Sequence, residues 1–150
     1  MISLKTYINE NYITESTDKH YVDALLISDD KLLILRRANY MKKFGGYWGL
    51  VGGSIDNKDK NSKDAIIREI KEETGIELTF NEQRKMKMSE KRKHEDNSDT
   101  EYWIINLESK PDIKLSREHS KYEWVDVHTL SSKNFKFIPY VFQVIQKCLS

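Results

Sequence analysis

The chain is 150 residues long, with 33% charged residues, 38% hydrophobic residues and a net charge of +1 at pH 7. That length suits one domain over residues 1–150 with a sizeable core, rather than two independent ones. The near-neutral balance argues against a protein ruled by nucleic-acid electrostatics, and the single Cys148 excludes an internal disulfide framework or a four-cysteine zinc site.

The segment Met1 to Asn9 has no basic stretch followed by an apolar core, and no apolar run approaches the roughly 18 residues of a membrane span. This predicts neither export nor insertion, but a cytoplasmic protein. His20 to Ile27 and Lys31 to Arg37 are aliphatic-rich and flank Ser28-Asp29-Asp30, which predicts a hairpin. Residues 38 to 46 read as a loop, and Trp48 to Gly53 as a short strand ending in a glycine turn where backbone can approach a ligand. Asn61 or Ser62 as N-cap, an apolar stripe of Ala65, Ile66, Ile67 and Ile70, and Gly75 as a stop predict a helix of about four turns. Leu78 to Phe80 begins a further extended segment. Met86 to Lys93 and Glu101 to Leu107 predict two strands joined by the polar turn His94 to Asp99. Tyr122 to Val127 reads as another strand. Pro139 to Leu149, with Val141, Phe142, Val144, Ile145 and Leu149 apolar, reads as a terminal helix. Strands interleaved with helices fit an α/β sandwich around a mixed sheet.

The first helix breaks a local rule. Glu69, Glu72 and Glu73 fall at i, i+3 and i+4, so they share one face beside the isoleucine stripe. Like charges at these spacings cost about 0.2 to 0.5 kcal/mol per pair, and the helix C-terminus adds partial negative charge. Arg68 can pair with Glu72, but one guanidinium does not neutralise three carboxylates, whereas a hard divalent ion with oxygen ligands would. Acidic faces on surface helices are common; the glycine turn just upstream, Gly52-Gly53, turns the reading toward a site.

Arg68-Glu69-Ile70-Lys71-Glu72-Glu73-Thr74-Gly75-Ile76 matches in full the second half of a known signature, and here the chain resembles the Nudix hydrolases. The first half departs from it. Gly53 lies one position too far from Arg68, so that Asp59 or Lys60 stands where the family has its first Glu, depending on the direction of counting. The resemblance continues upstream in Leu32 to Arg37 and Gly45 to Leu50, and downstream in Glu118 to Val125 and Leu130, covering roughly residues 20 to 130. It implies a Nudix-type α/β/α sandwich with a mixed central sheet.

By the same resemblance, Glu72 and Glu73 are metal ligands, Glu69 is a ligand or the general base, and the Gly52 carbonyl supplies a further oxygen. Arg68 orients the catalytic Glu through a hydrogen bond, a task suited to its rigid fork of donors. Glu118, in a loop before Trp124, is the remote carboxylate that completes the site. Mg²⁺ fits so sparse a ligand set, with Mn²⁺ as a substitute.

The implied activity is metal-dependent hydrolysis of a phosphoanhydride bond in a nucleoside diphosphate linked to another group, such as ADP-ribose, a dinucleoside polyphosphate or flavin adenine dinucleotide. Alternatives are a nucleoside triphosphate or an RNA 5′ end as substrate, or a silent fold that senses a nucleotide or binds a partner. The expected partner is a small-molecule nucleotide, and a homodimer is compatible with the chain. Arg36 and Arg37 could hold phosphates, with Lys42 and Lys43 beside them, and Tyr47, Tyr40, Tyr102 or Trp103 could stack on a base. The basic run Arg84, Lys85, Lys87, Lys91, Arg92 and Lys93 reads either as a solvated strand face or as a surface for a long polyanion. His94 and His119 could reach a phosphate, although lone histidines more often read as surface residues.

Overall fold

The computed structural model describes residues 19–131 and 133–150, so the expectation for Met1 to Asn9 lies outside the described residues. In chain order the elements are β1 (His20–Ser28), β2 (Lys31–Arg37), β3 (Trp48–Gly49), β4 (Val51–Ser54), α1 (Ser62–Thr74), α2 (Phe80–Arg84), β5 (Lys87–Lys93), β6 (Asp99–Asn106), β7 (His119–Asp126) and α3 (Val141–Leu149). β1 runs parallel to β6, while the other pairings between the strands described are antiparallel, which makes the sheet mixed.

Both faces of the sheet are covered, and strand alternation explains how. Val22, Ala24 and Leu26 of β1, with Leu33 and Leu35 of β2, pack on the face that meets Ile66 and Ile70 of α1. Leu25, Leu32 and Ile34 point the other way and meet Val141, Val144 and Ile145 of α3. Strands buried on both sides need nearly continuous aliphatic sequence, which is what Ala24 to Ile27 and Leu32 to Leu35 provide. Each fully buried isoleucine of α1 contributes about 1.5–3 kcal/mol relative to exposure. The result is the expected α/β/α sandwich.

β1 and β2 pair only at their hairpin end, through Ile27 with Leu32 and Ser28 with Lys31. Asp29 and Asp30 both take positive φ, 51° and 61°, a two-residue turn whose twist matches the strands. Beyond that point the strands part. β4 pairs with β1 through Tyr21 to Ala24, and β3 pairs with β2 through Leu35 and Arg36. The single strand expected over Trp48 to Gly53 is therefore two, broken at Leu50 because each piece serves a different neighbour.

Asn61 caps α1 by accepting the Asp64 amide at 2.8 Å, and Gly75 ends it in the left-handed region, at φ 75°, with its N–H on the Lys71 carbonyl. Leu78 to Phe80 does not begin a strand: Thr79 opens the short helix α2 through a reciprocal capping box with Glu82. The remaining bounds shift by one to three residues, with β6 starting at Asp99 and β7 at His119. The basic run ends on β5, an edge strand whose Arg92 lies 4.0 Å from the Tyr140 ring centroid.

Candidate active site

The parting of β1 and β2 leaves a cleft of about 800 Å³, bordered by β4, the last turns of α1, the residues after β2 and the turn before β7. Glu69, Glu72, Glu73 and Glu118 all line it. Three come from one helix face. Glu118 arrives from the far end of the chain because its carbonyl accepts the Ala38 amide at 2.8 Å, while Ser116 donates its N–H to the Glu73 carbonyl.

Glu73 is 8% exposed, and its Oε1 accepts the Gly52 N–H at 3.0 Å. Burial raises its carboxyl well above the ordinary value, and the charges of Glu69, Asp23 and Glu118 push the same way. Glu69 is also raised, chiefly by burial, although the Arg68 charge pulls it back. Within a strand a residue's N–H and C=O point the same way, so the Gly52 carbonyl shares the open edge of β4 that Glu73 reaches. A Cβ on Gly53 would collide with the Glu69 carboxylate, and one on Gly52 with Asp23 and the Val22 carbonyl. Glycine is required at both by close approach.

Arg68 makes the support visible. Its Nη1 donates to Glu69 at 2.9 Å and to Glu72 at 3.2 Å, and Nη2 donates to the Ser54 carbonyl. Its Nε and Nη2 also grip both oxygens of Asp59, at 3.0 and 2.8 Å. Of Asp59 and Lys60, it is Asp59 that meets Arg68, and that hydrogen bond holds its carboxyl down at about 2. Among the described residues no three carboxylate, imidazole or thiol groups are gathered closely enough to form a ready-made metal cluster, since Glu69 faces Arg68 and Glu73 faces Gly52.

Of the residues read as phosphate or base contacts, the structure brings Arg37 to the cleft and not Arg36 or Tyr47. Neighbours on a strand face opposite ways, and Arg36 donates to Asn39 and Ser120 instead. Tyr47 packs on Phe44 and lies under Lys136. Tyr102 is buried, and Trp103 packs against the core on the α1 side. Tyr40, Met41 and Arg117 line the cleft.

Asp23 and Arg117 escaped the sequence reading, and His119 is placed differently from its surface expectation. Asp23, on β1 beside Gly52, has its carboxyl raised to about 7 by loss of solvent and then by the Glu69 charge. A lone Asp in an aliphatic strand was the available signal. His119 is not a surface residue: it is 9% exposed, its Nδ1 has no hydrogen-bond partner, and burial together with the Arg37 charge lowers it to about 4. His94 faces Thr100 at 2.8 Å and stands away from the cleft.

The family model described as NUDIX domain matches residues 18–147. An ADP-ribose pyrophosphatase of Methanocaldococcus jannaschii is 38% identical over 55 residues, 37% of this chain and 31% of that protein. A CTP pyrophosphohydrolase of Escherichia coli K12 is 34% identical over 61 residues, 41% of this chain and 44% of that protein. The chain thus spans less than half the length of either of these curated relatives. A solved MutT/nudix family protein from Enterococcus faecalis superposes with a TM-score of 0.74 at 16% identity, over 90% of this chain and 62% of that one, a likeness of fold.

Proposed function

The chain belongs to the NUDIX domain family, and from that premise we propose that it hydrolyses a phosphoanhydride bond in a nucleoside diphosphate linked to another group, with a divalent cation, Mg²⁺ or Mn²⁺. The observation that carries this reading is the meeting of Glu69, Glu72, Glu73 and Glu118 with Arg37 and Arg117 in one cleft. The donor set fits the ion: every candidate ligand is oxygen, and the carboxyl of Glu73 is buried with a backbone N–H as its partner. Glu69, Glu72, Glu73, Glu118 and the Gly52 carbonyl would hold it.

A bound divalent ion supplies charge neutralisation on phosphate oxygens and an acidified water. The chain supplies the rest. Arg37 and Arg117 bind phosphate oxygens and orient the anhydride. Arg68 fixes the Glu69 carboxylate, and Asp59 fixes Arg68, so the acid is oriented before substrate arrives. Glu69 or Glu118 accepts the proton of the attacking water, the proton moving to a carboxylate oxygen while the bridging oxygen leaves on the other phosphate.

ADP-ribose is the first substrate to try, given the similarity to an ADP-ribose pyrophosphatase. The similarity to a CTP pyrophosphohydrolase favours a nucleoside triphosphate as the second. A small nucleotide partner and a cytoplasmic place go with either, and among the described residues no helix is long and apolar enough to cross a membrane. The test is product analysis with Mg²⁺ or Mn²⁺ against ADP-ribose, diadenosine triphosphate, dNTPs and triphosphate-ended RNA. AMP and ribose 5-phosphate from ADP-ribose support the reading; pyrophosphate from dNTPs alone overturns it.

A further inference from the structure

We propose that Tyr40 is the residue that stacks on the base of the nucleotide, a specificity role at the lip of the cleft that rests on the functional reading above. Tyr40 is 68% exposed, yet its hydroxyl donates to the Arg117 carbonyl. The ring is thus held at both ends, by the backbone turn in which Met41 donates to the Ala38 carbonyl and by that hydroxyl contact, with its surface left open. A ring ordered in advance forfeits little rotamer freedom when a base settles on it.

The other candidates are committed elsewhere. Tyr47 packs on Phe44 under Lys136, Tyr102 is 3% exposed, Trp48 meets Phe135 edge-on, and Trp103 lies against the core. Among the described residues that line the cleft, Tyr40 is the one aromatic. Met41 adds polarizable apolar surface beside it. Stacking on the Tyr40 ring acts on the π-face of the base and favours the larger purine.

The experiment is calorimetric titration of the full chain, with Mg²⁺ present, using AMP and CMP against wild type, Tyr40→Phe and Tyr40→Ala. Loss of stacking weakens nucleotide binding roughly tenfold. Tyr40→Ala is expected to bind AMP about tenfold more weakly, Tyr40→Phe within about twofold of wild type, and the preference for AMP over CMP to shrink in Tyr40→Ala. Circular dichroism confirms that the variants fold. Unchanged AMP affinity in Tyr40→Ala, an equal loss in Tyr40→Phe, or no AMP binding by wild type overturns the proposal. Hydrolysis is scored separately: a wild type that cleaves no nucleoside diphosphate derivative but binds AMP through Tyr40 defeats the functional reading and keeps this one.

Discussion

Arg68 holds Asp59 with two prongs of its guanidinium, Nε to Oδ1 at 3.0 Å and Nη2 to Oδ2 at 2.8 Å, while Nη1 serves Glu69 and Glu72. The loop between Gly53 and Arg68 is one residue longer than the family signature, and its acid is one methylene shorter. The longer loop delivers the shorter acid, Asp59, to the Arg68 guanidinium.

That compensation predicts a paired effect. Asp59→Glu alone overfills the site, and deletion of Asn57 alone pulls Asp59 out of reach, so each lowers activity by roughly tenfold, as loss of an outer-shell orienting group does. The two together recover most of the activity. Initial rates on the three variants check this, and a double variant no better than either single one contradicts it.

The two glycines beside the carboxylates respond differently to a methyl group. In Gly53→Ala the obstacle is the movable end of Glu69, so stability changes by about 1 kcal/mol or less while activity falls roughly a hundredfold through misplacement of that carboxylate. In Gly52→Ala the obstacle is the β1 backbone at Val22 and Asp23, and the fold loses about 3 kcal/mol. Urea unfolding beside rate measurements separates the two.

His119 makes stability depend on acid. Its folded value, about 4, lies below the ordinary 6.5, so the unfolded chain takes up the proton first as pH falls. The His119 contribution is fully present above 6.5 and is lost between 6.5 and 4, a change of roughly 3 kcal/mol. Urea unfolding of His119→Gln is expected to show a flatter profile in that window.

Asp23 and Glu73 act with the opposite sign. Their carboxyls are raised in the folded protein, Asp23 from 3.8 to about 7, so the native state holds more protons and stability without metal falls as pH rises through that range. Asp23→Asn removes part of the fall. Added Mg²⁺ or Mn²⁺ is expected to raise the melting temperature more at pH 8 than at pH 5, because the carboxylates must be ionised to bind it. Because the His119 and Asp23 effects oppose each other below pH 6.5, the single variants are needed to separate them.

What the sequence made legible was whatever depends on short spacing. Asn61, Gly75 and the shared face of Glu69, Glu72 and Glu73 follow from helical periodicity, and the structure places them as expected. Long-range pairing was hidden. Nothing local says that Trp48–Gly49 and Val51–Ser54 serve different strands, or that Arg37 rather than its neighbour Arg36 faces the cleft. The Thr79–Glu82 capping box is a short-range signal, and the sequence reading took the apolar Leu78 and Phe80 around it as extended instead. The register of Asp59 against Lys60 needed the three-dimensional path of the loop, which the Arg68 contact supplies.

Glu73→Gln tests the central claim most directly. Glutamine can still accept the Gly52 N–H, so the fold stands, and removal of a buried charge is expected to leave the metal-free protein at least as stable as wild type. Metal-assisted charge stabilisation is worth several kcal/mol, so ADP-ribose hydrolysis in saturating Mg²⁺ should fall by about a hundredfold or more. Hydrolysis by Glu73→Gln near the wild-type rate would contradict the account.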